Sequence, residues 1–109
     1  MGAGGLRSWW QRAIVSFAAT ERASLEAAYR RELAALSGAR RGIAQILANE
    51  RRLDSEAATL HDGTAARERL LAVTAALRAR RVALEALADE VLARLERVRS
   101  AKLATRRRA

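Results

Sequence analysis

The stretch Leu53-Asp-Ser-Glu-Ala-Ala-Thr-Leu-His-Asp-Gly-Thr-Ala-Ala-Arg-Glu-Arg-Leu70 holds the one strong break in the chain's helical pattern. Within it, His61-Asp62-Gly63-Thr64 interrupts two helix-forming segments. Gly63 tolerates the left-handed backbone that ends a helix. Asp62 or Thr64 supplies an oxygen to cap the helix that follows. His61 reads as a helix C-terminal residue favoured by the dipole.

On either side the apolar residues repeat with helical spacing. Upstream, Leu36, Ile43, Glu50 and Ala57 form one heptad row, and Ala39, Ile46, Leu53 and Leu60 form the other. Glu50 is the single charge in that seam, read as a register mark or a side chain bending out to solvent. Downstream, Leu70, Leu77, Leu84, Val91 and Val98 recur every seven residues. Val73, Leu87 and Ala101, alternating with Arg80 and Arg94, are taken as the second row. Leu71, Val82, Leu92, Leu95 and Leu103 then form a second apolar stripe, which suggests contact beyond a lone hairpin.

A short connection makes the two arms antiparallel neighbours. Each arm is about 40 residues, or ~60 Å at helical rise. Turning at Asp62-Gly63 places Ile43 against Val82, Leu53 against Val73, Leu36 near Asp89 and Glu32 near Arg94. The Glu32–Arg94 pair is expected to help set register.

The N-terminal residues have a different character. Leu6, Trp9, Trp10, Ala13, Ile14 and Phe17 fall three and four apart, on one helical face. Arg7, Ser8, Gln11, Arg12 and Ser16 occupy the other side, with Val15 an exception. Ser8 has capping-box spacing to Gln11 and is a candidate helix start. The expected fold is therefore all-α: a short amphipathic N-terminal helix (1–19), a long antiparallel two-helix coiled-coil hairpin (20–105, arms about 20–61 and 64–103) and a basic tail (104–109).

Composition supports this reading. The chain has 109 residues, 27 of them Ala and 15 Leu, and no Pro. It lacks the β-branched residues and turns of a sandwich or barrel. With no Cys there is no disulfide framework or thiolate metal site, and one His rules out a multi-histidine site. No Ser/His/acid arrangement, Gly-rich phosphate loop or Glu-x-x-His pair is present. The sequence predicts no enzyme, cofactor, metal or small-molecule substrate. Zinc-finger, helix-turn-helix and RNA-recognition signatures are also missing. No apolar run approaches the ~18–20 residues of a membrane span. Secretory and myristoylation patterns fail, which predicts a cytoplasmic protein, peripheral at the inner face of the membrane if it meets lipid.

The net charge is +9. Residues 1–63 carry nine basic and seven acidic side chains, whereas residues 64–109 carry twelve and five. Arg97, Arg99, Lys102, Arg106, Arg107 and Arg108 end the chain without an intervening acid. Such a cluster is either a solvated tail or an anion-binding surface. An anionic membrane and nucleic acid both fit the charge. Aromatic residues are not interleaved with this cluster, so base stacking is not expected there. The aromatic N-terminal face favours the membrane, with Trp at the interface and Leu6, Ile14 and Phe17 below it. Two other uses of that face are docking on the hairpin as a third helix and binding a partner protein's groove.

The stretches Leu6-Arg-Ser-Trp-Trp-Gln-Arg-Ala-Ile-Val-Ser-Phe17 and Ala39-Arg-Arg-Gly-Ile-Ala-Gln-Ile-Leu-Ala-Asn-Glu-Arg-Arg-Leu53 resemble the phage-shock protein A family, bacterial relatives of ESCRT-III. The first is similar to that family's membrane helix and the second to part of its first hairpin arm. The chain is shorter than the family's members and more basic. The resemblance implies attachment of the N-terminal helix to membrane and assembly into a coat. The combined expectation is a non-enzymatic coiled-coil scaffold or adaptor that self-associates and attaches to an anionic membrane surface. The alternatives are a coiled-coil subunit of a larger assembly, such as a secretion or motor complex, and a sequence-neutral nucleic-acid binder.

Overall fold

The computed structural model describes the backbone from Gly2 to Arg108, and the side chains from Gly5 onward except Leu6. Two helices, α1 (Gly2–Ala58) and α2 (Ala65–Arg108), pack against each other as an antiparallel hairpin. No strand occurs among the described residues.

The connection is built from local hydrogen bonds. The N–H groups of Thr59 and Leu60 donate to the carbonyls of Glu56 and Ala57, both at 3.1 Å, tightening the last turn of α1. Gly63 follows with φ of 76°, the left-handed conformation that an added Cβ would penalise. Thr64 is the N-cap of α2: its hydroxyl accepts the Arg67 N–H at 3.3 Å and donates to the His61 carbonyl at 2.9 Å. Asp62 pairs with Arg67 across this cap.

Three expected boundaries change. The separate helix over 1–19 is not seen, because α1 runs unbroken from Gly2 and does not start at Ser8. No Gly or Pro lies between residues 6 and 37, so nothing stops helix propagation. The helix also continues through Gly38 and Gly42. The first arm ends at Ala58, before His61, and the basic tail is helical as far as Arg108.

The chain forms two compact units. In the unit Ala34–Ala93, α1 contributes buried Leu36, Ala39, Ile46, Glu50 and Ala57, with Ile43, Leu53 and Leu60 half-buried. These are the two heptad rows read from the sequence. On α2 the row Leu70, Leu77, Leu84 and Val91 also faces inward. Its companion row is Thr74, Arg81 and Ala88, four residues on. Val73 and Leu87, expected in that row, are 50% and 43% exposed.

Two physical features favour the observed row. Thr74 and Ala88 are smaller than Val73 and Leu87 and are buried; the shared row also packs tightly, since a Cβ at Gly42 would lie 3.1 Å from Leu84 Cδ1. The row also brings Arg81 rather than Arg80 to Glu50. Arg81 Nε donates to Glu50 Oε2 at 2.7 Å, and Arg78 Nε donates to Oε1 at 3.2 Å. Arg81 reaches Glu85 at 2.9 Å, and Arg78 reaches Asp54 at 3.2 Å. Glu50 is thus a satisfied buried acid at a seam position, not one that bends out to water. The expected Ile43–Val82 and Leu53–Val73 packing does not form, since Val82 and Val73 face solvent.

The other unit combines Met1–Leu33 with Arg94–Ala109. Leu95 and Thr105 are buried, and Leu25 and Val98 half-buried. Leu95 therefore belongs to the seam rather than to an outer stripe. The Thr105 hydroxyl donates to the Ala101 carbonyl at 2.9 Å, which makes its burial tolerable. Three cross-helix ion pairs run along this unit. Arg94 Nε meets the Glu32 carboxylate at 3.1 and 3.2 Å, Lys102 meets Glu26 at 2.6 Å, and Arg108 meets Glu21 at 3.7 Å. The pairs descend α1 as they ascend α2, as an antiparallel arrangement requires.

Candidate functional site

In the unit that holds both chain ends, α1 outruns α2. The last residue of α2, Arg108, lies beside Glu21. From Arg7 to Phe17 every residue is exposed except half-buried Ala13. The N-terminal face does not fold back onto the hairpin as a third helix, and no loop in this continuous helix would allow it.

That segment carries an unusual concentration of exposed apolar surface. Trp9 and Trp10 are 55% and 57% exposed, and Ile14, Val15 and Phe17 are more so. The two indoles meet edge-on, with centroids 5.0 Å apart and planes at 79°. Scattered exposed apolar residues are ordinary, but five large ones within nine positions form a patch. Helical spacing aligns Trp10, Ile14 and Phe17 along one side, with Trp9 and Ala13 next to them. Arg7 and Arg12 are exposed on the same segment. Leu6 lies outside the described side chains.

The C-terminal cations separate into two groups. Arg97, Arg99, Arg106 and Arg107 are exposed, and Arg108 is exposed while reaching Glu21. Lys102 instead points into the seam. It pairs with Glu26 and lies 4.4 Å from the centre of the Tyr29 ring, a cation–π contact. The Lys102 hydrogen bond holds the Glu26 carboxyl below the usual carboxylate range, against the opposing effect of desolvation. Lys102 is the chain's one lysine among 21 basic residues. Its compact ammonium suits a site between one carboxylate and one ring.

A cleft of about 170 Å³ opens beside this lysine, lined by Arg22, Leu25, Glu26, Lys102, Thr105 and Arg106. Lys102 and Arg106 belong to the basic cluster evident in the sequence, whereas Arg22, Glu26 and Tyr29 lie outside every site expected from it. Extending the Leu36 heptad upstream through Glu32, Tyr29, Leu25 and Arg22 would have marked this end of the seam.

The expected register pair, Glu32 and Arg94, is in contact. The two are distinct from the apolar segment. Glu50 is the other acid perturbed by its surroundings: Arg81's hydrogen bond, followed by the charges of Arg81 and Arg78, keeps it ionised to lower pH. Among the described residues no group of three or more His, Asp or Glu could hold a metal ion. No helix among them is long and apolar enough to cross a membrane. The chain matches no protein-family model, no curated protein and no solved structure.

Proposed function

We propose that this chain is a non-enzymatic coiled-coil adaptor that attaches to an anionic membrane surface. The carrying observation is the exposed apolar face of Trp9, Trp10, Ile14 and Phe17 on the part of α1 that runs past α2. An amphipathic helix of this kind lies in the plane of the interface, with its apolar face among the acyl chains. Indole rings favour that boundary. Arg7 and Arg12 would meet headgroups, and Arg97, Arg99, Arg106, Arg107 and Arg108 would add attraction of about 1 kcal/mol per residue near the surface. The chain's place would then be peripheral, on the inner face of the membrane.

Self-association is the second part of the proposal. Leu71, Val82 and Leu92 remain exposed on α2 within the Ala34–Ala93 unit and offer apolar surface to another copy. Assembly on the membrane is also what the family resemblance implies.

Flotation with phosphatidylcholine–phosphatidylglycerol vesicles tests attachment. The wild type should float with the vesicles and the Trp9→Glu/Trp10→Glu variant should not. Equal flotation of both would reject insertion. Retention on DNA that falls steeply with salt and ignores the tryptophan changes would favour the nucleic-acid reading instead. Solution mass with and without vesicles reads the assembly state, and a monomer under both conditions would remove self-association.

A further inference from the structure

We infer that the cleft between Arg22, Lys102 and Arg106 binds a phosphomonoester group. The lining carries three cations and one carboxylate, a net of +2. Glu26 is already matched to Lys102. Arg22 and Arg106 are exposed and form no ion pair among the described residues, so their guanidinium forks are available to an incoming anion. Planar guanidinium groups match phosphate oxygens bidentately. A phosphomonoester carries about −1.5 to −2 charge near neutral pH, which complements this lining better than a phosphodiester does.

Size and order point the same way. The cleft holds about 170 Å³, below the ~300–1,000 Å³ of pockets for drug-sized ligands, so it suits a small group. Two of its lining residues are held by contacts of their own. Lys102 is clamped by Glu26 and Tyr29, and buried Thr105 is tied to Ala101. The cleft begins at Arg22, ~7.5 Å along α1 from Phe17 and ~140° around the helix from it. The source of the ligand rests on the membrane reading; the site itself does not. The same chemistry belongs to phosphatidic acid in a bilayer and to a soluble phosphomonoester.

The test uses the full chain and vesicles of phosphatidylcholine with either phosphatidic acid or phosphatidylglycerol, at matched surface charge. Tryptophan emission reports binding. The wild type should bind the phosphatidic acid vesicles about tenfold more tightly, the effect of a charge-assisted contact. Arg22→Gln/Arg106→Gln should lose that preference but still bind phosphatidylglycerol vesicles. Arg51→Gln/Arg52→Gln, which removes equal charge from an exposed stretch of the other unit, should keep it. Circular dichroism verifies that each variant is folded. In a parallel arm, glycerol 3-phosphate is titrated while the amide resonances of Lys102 and Thr105 are followed. Shifts here without a vesicle preference assign the site to a soluble phosphomonoester. Absence of both responses, or a preference unchanged by Arg22→Gln/Arg106→Gln, overturns the inference. If wild-type emission responds to neither vesicle while glycerol 3-phosphate still binds, the membrane reading fails and the site stands.

Discussion

Replacing valine by alanine at positions 73 and 91 separates the two possible frames of α2. Both valines lie on the same helix in the same unit, and the change is chemically identical. Val91 is 1% exposed and Val73 is 50% exposed. Removing two fully buried carbons at Val91 costs about 1.6 kcal/mol in transfer free energy. A residual cavity adds roughly 0.5–1 kcal/mol, and the better helix propensity of alanine returns about 0.6. The net loss is about 1.5–2 kcal/mol. At Val73 only half the transfer term applies, about 0.8 kcal/mol. Propensity offsets nearly all of it, leaving a change close to zero. Urea unfolding followed by far-UV circular dichroism measures both variants, and an unchanged slope licenses comparison of midpoints. Equal losses at the two positions would show that Val73 shares the seam, refuting the four-residue step to Thr74, Arg81 and Ala88.

Three further outcomes follow from the same contacts. Gly38→Ala should stabilise by about 1 kcal/mol in denaturant unfolding, since its Cβ meets nothing within 4 Å, whereas Gly63→Ala should cost about 1–2 kcal/mol for its positive φ. Glu32→Arg and Arg94→Glu should each destabilise, and the double reversal should recover about 0.5–1 kcal/mol of coupling, a size set by a partly exposed pair; independent effects in that cycle would remove its role in register. Glu50 and Glu26 have folded-state pKa values below their unfolded values, so their contribution is complete above the ordinary glutamate range and is lost as pH falls through the lowered values. The melting temperature should therefore decline as pH falls through the acid range, and Glu50→Gln should lower it at neutral pH while flattening that decline; an unaltered acid profile in that variant would contradict the assignment.

The first arm was legible because its apolar residues from Leu36 to Leu60 occupy one face only. The turn was legible because Gly63 and Thr64 are local signals with local causes. The second arm was not, because the Leu70–Val98 row has apolar residues on both flanks. Counting them favoured Val73 and Leu87 over Thr74 and Ala88. The deciding factor lies on the other helix: Glu50 needs Arg81. The aromatic face was visible in the spacing of Trp9, Trp10, Ile14 and Phe17, but a change of character was read as a change of helix. The absence of any breaker from residue 6 to 37 was the better guide. The cleft at Arg22 and Lys102 depends on register along the full seam, which no local motif announces.

The chain's only two tryptophans both lie in the apolar segment, so intrinsic fluorescence reads entry of that face into a membrane without a label. In buffer, the half-exposed indoles should emit as solvated rings. Anionic vesicles should shift that emission to the blue, and brominated acyl chains should quench it. Emission that ignores anionic vesicles, or that is already blue-shifted and shielded in the lipid-free chain, would contradict an exposed face built to enter a membrane surface.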